Sequence, residues 1–167
     1  MHSSNAAAER RQRFDQYVAV YHQDMYRYAA WLSRDLVIAQ DVVQEALLRA
    51  WKSLDHLRDE GSAKQWLLTI VRRENARYFE RKRLETVDID NLTASQEALL
   101  GVEGNNELDE LRKAIYELDD DYREPLVLQV LMGYSTNEIA EQMGLKQGAV
   151  LTRLHRARAR LKDNMEQ

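Results

Sequence analysis

The stretch STNEIAEQMGLKQGAVLTRLHRARARLK, residues 135–162, decides the fold of the C-terminal part of the chain. Ser135 followed by Glu138 has the spacing of a capping box, which predicts the start of a helix. Gly144 supplies a tight turn, and Val150 gives the next segment an apolar anchor. The stretch therefore predicts two helices joined by a short glycine turn, a geometry that offers the second helix to a DNA major groove.

Two interpretations of this stretch remain open from spacing alone. A generic pair of packed helices would show the same apolar pattern, whereas a DNA-binding helix-turn-helix also explains the basic residues that follow. Five bases and no acid lie between Arg153 and Lys162, although the 167-residue chain has a formal net charge of −4.

Charge is segregated along the chain. Residues 84–124 contain thirteen acids and three bases, a local charge of −10, so the remainder of the chain sums to +6. A second basic stretch, Arg72–Arg83, holds six bases and two acids. Because the distribution of charge governs binding to a polyanion, both basic stretches are candidate nucleic-acid contacts.

Composition restricts the class of protein. Six glycines and one proline, with 44% hydrophobic and 31% charged residues, predict a globular helical chain. The absence of cysteine excludes disulfide bonds and thiolate metal sites and suits a cytoplasmic location. No apolar run approaches about 18 residues and no signal core begins the chain, so we expect no membrane insertion and no export. The four histidines are scattered, and no phosphate loop or serine elbow occurs, so we expect no metal, no cofactor and no enzymatic activity.

Apolar residues at helical spacing predict an all-α fold with two small helical domains. In the N-terminal half they predict helices at about Ala7–Leu32, Ile38–Leu54 and Ala63–Arg83. A polar loop, Asp55–Ser62, precedes the third helix and offers Ser62 as its N-cap.

The C-terminal half begins after an acidic, weakly patterned linker. Residues 88–106 form this linker, and a short helix is predicted within it at Leu92–Leu100. The spacing from Leu108 to Leu118 predicts one helix. The next is predicted to start at Asp119 or Asp120, to tolerate Pro125 near its beginning and to end at Gly133.

Two surfaces allow both a functional and a non-functional interpretation. Asp41, Gln44, Glu45 and Leu48 share one helix face, which is either a solvated polar face or a docking surface for a protein. In the third helix, basic residues surround Trp66 and Asn75. These basic residues either form a solvated face or bind the phosphates of a nucleic acid, while the Trp66 ring stacks on its unpaired nucleobases.

The motifs DVVQEALLRAWKSLD, WLLTIVRRENARYFERKR and YREPLVLQVLMGYSTNEIAEQMGLKQGAVLTRLHRARARLK follow one another with an acidic linker before the third. In this order, over about Tyr17–Lys162, the chain resembles an extracytoplasmic-function (ECF, group IV) sigma factor of bacterial RNA polymerase, in the sigma-70 family. The resemblance implies a sigma region 2 domain at 1–87, the acidic linker at 88–106 and a sigma region 4 helix-turn-helix domain at 107–167. It also implies a function, the direction of core RNA polymerase to specific promoters.

The resemblance assigns roles to particular residues. Those implied to dock on core polymerase are Asp41, Gln44, Glu45 and Leu48. Those implied to contact the melted minus-ten element and its adjoining duplex are His56, Arg58, Trp66, Arg72, Arg73, Asn75, Arg77 and Arg81. Those implied to contact the minus-35 element are Gln147, Ala149, Val150, Thr152, Arg153 and Arg156. The family further implies an anti-sigma factor as a protein partner.

Departures from the family pattern bear on promoter choice. Arg73 stands where the family commonly has asparagine, and Ala149, Leu151 and Thr152 replace the usual threonine, lysine and serine. Two other functions are compatible with parts of the sequence. One is a stand-alone helix-turn-helix regulator that binds an operator tightly without polymerase, and the other is a helical adaptor that binds only proteins.

Overall fold

The computed structural model describes residues 2–85 and 106–167. Within these residues the chain forms seven α-helices and no strand, which confirms the all-α prediction. The helices are α1 His2–Ser33, α2 Leu36–Ser53, α3 Ala63–Leu84, α4 Asn106–Tyr116, α5 Asp120–Val130, α6 Thr136–Met143 and α7 Gln147–Glu166. No helix in the described residues is long and apolar enough to span a membrane. The predicted short helix Leu92–Leu100 and nearly all of the linker 88–106 lie outside these residues.

The chain divides into two compact units, of which the first comprises residues 1–29 and 38–87. Its core contains Met25, Leu67 and Leu68, each at most 1% exposed. Small α2 residues such as Ala46 and Ala50 are fully buried, so neighbouring backbones can approach α2 closely. Burying one leucine or methionine side chain stabilises a fold by about 1.5–3 kcal/mol. The burial of these side chains therefore stabilises the packing of α1 and α3 in this unit.

The loop between α2 and α3 is organised by one aspartate. Two 3-10 turns, Leu54–His56 and Glu60–Ser62, flank it. Asp59 accepts hydrogen bonds from the Gly61 amide and the Ser62 hydroxyl, both at 3.0 Å. Ser62 does occupy the N-cap position of α3, but its side chain makes no capping hydrogen bond. The predicted cap is therefore corrected, because the hydroxyl donates to Asp59 instead.

The second unit comprises residues 30–37 and 88–167. Helix α7 packs against α4, α5 and α6, and Leu128, Ile139 and Leu154 form a core at most 1% exposed. Arg123 is 3% exposed because its guanidinium donates to the carbonyls of Leu118 (2.7 Å) and Tyr116 (3.3 Å). Tyr116 is the last residue of α4 and Leu118 lies two residues beyond it, and carbonyls at a helix C-terminus have no helical donor.

Residues 30–37 join this unit although the sequence assigned them to the first domain. The buried Arg123 also donates to the Trp31 carbonyl at 3.2 Å, and the Arg34 guanidinium donates to the Leu118 carbonyl at 2.8 Å. The Arg34 guanidinium lies 5.3 Å from the centroid of the Tyr116 ring. Both long-range hydrogen bonds use a carbonyl near a helix end. Helical periodicity in the sequence cannot predict such contacts, because it carries no information on residues far apart in the chain.

Several helix boundaries differ from those predicted from the sequence. Helix α1 begins at His2 rather than Ala7, and α5 ends at Val130 rather than Gly133. Gly133 nevertheless adopts the predicted left-handed conformation, with φ +71°, three residues beyond the helix end. Pro125 lies in the second turn of α5 rather than at its start.

The capping box is confirmed. The Ser135 hydroxyl accepts from the Glu138 amide at 3.2 Å, and the Glu138 carboxylate accepts from the Ser135 amide at 3.0 Å. Gly144 closes α6 with φ +65°, a left-handed conformation that glycine adopts without steric cost. The predicted helix–glycine turn–helix is therefore present at the predicted positions.

Candidate nucleic-acid and protein interfaces

One face of α2 presents the four side chains predicted to dock on a protein. Asp41, Gln44, Glu45 and Leu48 are all exposed, and Leu48 is 55% exposed. Their spacing of three or four residues keeps them on one side of the helix, away from the buried Val42–Val43 side. The arrangement is an exposed leucine bordered by two carboxylates and an amide.

A groove runs between this face and α3. Its cavity of about 340 Å³ is lined from α2 by Asp41, Val42, Gln44 and Glu45, and from α3 by Glu74, Tyr78, Arg81, Lys82 and Glu85. Arg81 therefore lies beside the residues predicted to bind protein, although the sequence grouped it with the DNA contacts. With four carboxylates and two cations, the groove has an acidic balance that disfavours a polyanion.

A buried carboxylate ties α2 to α3. Glu74 is 2% exposed and forms ion pairs with Arg49 from α2 and with Arg77 one turn away at 3.3 Å. Sequence reasoning missed this residue. The available signal was its place on the apolar side of α3, three residues after Val71, where an unpaired charge would be costly.

The basic residues of α3 fall on two sides of the helix. At 100° per residue, Trp66, Arg73, Arg77 and Arg81 project within a sector of about 80°, whereas Arg72 and Asn75 project elsewhere. Arg73, Arg77 and Arg81 are exposed, and Trp66 is half-buried. The six α3 members of the predicted minus-ten set are therefore divided between one continuous flank of four and two residues outside it. The Asn75 Oδ1 atom is buried and has no hydrogen-bond partner among the described residues.

The loop that carries His56 and Arg58 is anchored from α1. His56 and Arg58 are exposed, so both side chains are accessible. Arg13 donates to the Leu57 carbonyl at 2.9 Å, which fixes the loop backbone between them. Arg10 pairs with the loop's Asp55 at 3.3 Å. Arg10 and Arg13 lie in a stretch that sequence reasoning treated only as the start of a helix.

Of the six residues predicted to contact the minus-35 element, five are at least partly exposed on α7 and one is buried. Val150 is 0% exposed, so its side chain packs in the core and cannot reach a base. Gln147 is exposed and donates from Nε2 to the Thr136 hydroxyl at 3.2 Å. Ala149 is half-buried, and Thr152 is exposed with its hydroxyl donating to the Gly148 carbonyl at 3.0 Å. Val150 is therefore corrected from a DNA contact to an anchor of the helix.

Most arginines of α7 have partners within their own unit. Arg153 pairs with Asp121 at 3.4 Å, and Arg160 pairs with Asp119 at 2.8 Å. Arg158 donates to the side chain of Gln129, and Arg156 is exposed. The carboxylates of Asp119 and Asp121 are 71% and 76% exposed, and exposed ion pairs contribute only about 0–1 kcal/mol. Phosphate groups can therefore replace these acids at small cost.

Together, a helix-turn-helix with a basic second helix and a second helical unit with exposed basic residues on α3 are typical of a DNA-binding protein. Comparison with known proteins specifies the family. Sigma-70 region 2 matches residues 17–85, and Sigma-70 region 4 matches residues 108–161. The chain belongs to the ECF RNA polymerase sigma factors.

Individual relatives support this membership. The chain is 34% identical over 167 residues to the ECF RNA polymerase sigma factor SigL of Mycobacterium tuberculosis, covering 93% of this chain and 89% of SigL. It is 33% identical over 135 residues to EcfG of Rhodopseudomonas palustris, covering 80% of this chain and 75% of EcfG.

Two solved structures have similar folds. The sigma factor RpoE of Bartonella quintana, in complex with the anti-sigma factor NepR, has a TM-score of 0.76 at 27% identity. That match covers 93% of this chain and 98% of RpoE. CnrH, in complex with the cytosolic domain of CnrY, has a TM-score of 0.67 at 25% identity and covers 98% of this chain and 94% of CnrH.

Proposed function

We propose that this protein binds core RNA polymerase and directs it to specific promoters, through three segments with separate roles. Residues 1–87 bind core polymerase and the minus-ten element, residues 88–106 form an acidic linker, and residues 107–167 bind the minus-35 element. The observation that carries the proposal is the presence, in one chain of this family, of an exposed docking face and two separate basic surfaces.

On the first segment, Leu48 is the anchor of the polymerase contact. A 55% exposed leucine bordered by Asp41 and Glu45 has the composition of a small protein-binding site, an apolar centre with a polar rim. The basic flank Arg73–Arg77–Arg81 lies on the neighbouring helix and supplies backbone phosphate contacts, while Trp66 is available for base stacking. The exposed loop residues His56 and Arg58 contact the melted bases.

On the last segment, α7 enters the major groove. The exposed Gln147 and Thr152 lie near base edges, the half-buried Ala149 borders them, and Arg153 and Arg156 hold phosphates. Contacts to phosphate position the helix, and only contacts to base edges specify sequence. The protein acts by binding, without chemistry of its own and without a cofactor, in the cytoplasm where its polymerase resides.

Transcription with purified components tests the proposal. Core polymerase with the full chain should initiate at discrete sites in a genomic fragment library, and sequencing of RNA 5′ ends maps these sites. Leu48→Ala should weaken the interaction with core polymerase, whereas Val20→Ala, at an exposed apolar residue of α1, should not. If the chain produces no discrete start sites but binds duplex DNA tightly by itself, it is a stand-alone regulator and the proposal is wrong.

An anti-sigma factor is the second proposed partner. Support comes from the two similar structures, in which RpoE is in complex with the anti-sigma factor NepR and CnrH is in complex with the cytosolic domain of CnrY. A partner isolated from native cells under non-inducing conditions should lower transcript yield in the same assay, and Leu48→Ala should reduce its binding. Isolation of the chain without a partner that has this effect would argue against such control.

A further inference from the structure

One exposed stripe near the start of α7 contains no arginine, lysine or carboxylate. Gly148, Leu151, Thr152 and His155 follow the spacing i, i+3, i+4, i+7, so they share one side of the helix, and all four are exposed. Leu151 is 52% exposed, while Val150 on the other side is 0% exposed. The stripe therefore points away from the core of the unit.

The polar atoms of this stripe are partly used within the helix. The Thr152 hydroxyl donates to the Gly148 carbonyl at 3.0 Å, so its donor is used, and Thr152 offers its methyl group and the acceptor lone pairs of the hydroxyl oxygen. A Cβ placed on Gly148 would meet no atom within 4 Å, so open space lies beside Thr152. Leu151 adds two further methyl groups. The stripe consequently presents an apolar patch in the first turns of the helix.

We propose that Leu151 and Thr152 read thymine methyl groups in the minus-35 element, so that the element carries A·T pairs where these two residues touch it. The inference rests on the proposed function, because it requires α7 to lie in the major groove. Thymine presents a C5-methyl group there, and apolar side chains recognise it. The usual reader of guanine is an arginine or lysine with two hydrogen bonds, and the stripe contains neither.

Charge favours DNA over a protein as the occupant of this patch. Arg156 is exposed and lies directly after His155, and Arg153 pairs with the exposed carboxylate of Asp121. A central apolar stripe bordered by guanidinium groups matches a groove whose floor carries methyl groups and whose walls carry phosphates. An apolar partner protein would bury these arginines without supplying anions.

Replacement of thymine by uracil tests the inference, because it removes only the C5-methyl group. A promoter that the holoenzyme uses is prepared with uracil throughout the minus-35 element and compared with the thymine form at limiting enzyme. Transcript yield should fall about fourfold for each methyl group that loses its contact, the equivalent of exposing one buried carbon group. Uracil in the spacer between the two elements serves as the control and should leave yield unchanged.

A protein variant assigns the effect to Leu151. Leu151→Ala should lower the transcript yield on the thymine promoter. It should also reduce the difference in yield between the thymine and uracil promoters to the part that is due to Thr152. Leu108→Ala, at another exposed leucine of the same unit, should keep the full difference. Because Leu151 is half exposed, its replacement should leave circular dichroism and thermal unfolding unchanged.

The outcomes separate this inference from the proposed function. Three results would overturn the inference: equal yields on the two promoters, a minus-35 element without A·T pairs, or an unchanged thymine preference in Leu151→Ala. None of them would contradict the proposal that the protein directs core polymerase to promoters. A loss of core binding in Leu151→Ala would assign the patch to a protein instead. If the chain directs no transcription, thymine and uracil duplexes compete for the full chain alone at low salt. A preference for the thymine duplex then supports the methyl contacts, and equal binding overturns them.

Discussion

The replacement of Glu74 by glutamine measures how strongly a buried carboxylate holds α2 on α3. The Glu74 side chain is 3% exposed, whereas those of Arg49 and Arg77 are 48% and 49% exposed. Both arginines can turn towards water when the carboxylate is gone, so the cost falls below the 3–5 kcal/mol, roughly, of breaking a fully buried pair. We expect Glu74→Gln to lower the free energy of unfolding by about 2 kcal/mol, the typical value for one charge-assisted hydrogen bond.

The two arginines should contribute unequally. Arg49 joins two helices, while Arg77 lies three residues from Glu74 on the same helix, where such pairs contribute about 0.2–0.5 kcal/mol. After allowance for solvent screening, double-mutant cycles should give a coupling energy of about 1 kcal/mol for Arg49 with Glu74. The coupling of Arg77 with Glu74 should be less than half of that.

Urea unfolding of the full chain, followed by tryptophan fluorescence, provides the measurement. Trp51 and Trp66 lie in the first unit and report its unfolding. Glu74→Met fills the same space without a charge and should cost less than Glu74→Gln, because it leaves no buried polar group. Equal coupling energies for the two arginines, or a methionine variant less stable than the glutamine variant, would refute the reasoning.

Three further predictions concern the second unit. Ser135→Ala removes the cap that accepts from the Glu138 amide and should lower stability by about 1 kcal/mol in thermal or urea unfolding. Arg123→Met leaves the Tyr116 carbonyl without its donor, whereas the Leu118 carbonyl keeps the donor from Arg34, so the change should cost about 1–3 kcal/mol in the same measurement. Asp119→Asn removes the ion pair of Arg160 and should increase the affinity for duplex DNA. Because Arg160 can then bind one more phosphate, the slope of log affinity against log salt concentration should become steeper by about one.

Each of these changes has a matched control. Ser135→Thr keeps a hydroxyl cap and should retain most of the stability, and Arg123→Lys keeps the charge but supplies fewer donors in a different geometry. Glu110→Gln removes an exposed acid on α4 and should not change the salt dependence as Asp119→Asn does. The same salt slope in both variants would show that net charge alone, and not the release of Arg160, controls binding.

Local patterns in the sequence predicted the elements that position the candidate sites. The capping box at Ser135, the glycine turn at Gly144 and the exposed face around Leu48 depend on residues within a few positions of one another. Helical periodicity fixes which side of a helix a residue occupies, so these features needed no knowledge of packing. The helix ends were less predictable, because α1 begins in a polar, alanine-rich stretch without an apolar stripe.

Tertiary packing decided which charges are available. The sequence showed that Arg153 and Arg160 are basic and lie near the end of the chain, but their partners Asp121 and Asp119 are 32 and 41 residues away. Glu74 meets Arg49 from another helix in the same way. The partner of a side chain depends on the element that packs against it, and periodicity within one helix carries no information on that.

By itself, then, the sequence determined an all-α chain with a helix-turn-helix near its C-terminus and segregated charge, since local spacing and composition specify these features. The sequence offered Val150 both as an apolar anchor and as a DNA contact, and the tertiary structure decided for the anchor, because burial at 0% exposure is a property of the packed unit. The tertiary structure also left Leu151 exposed, whereas the hydrogen bond from the Thr152 hydroxyl to the Gly148 carbonyl, four residues earlier, is local to α7. The apolar stripe that results depends on the orientation of α7 against its neighbours, which residues far apart in the chain determine jointly.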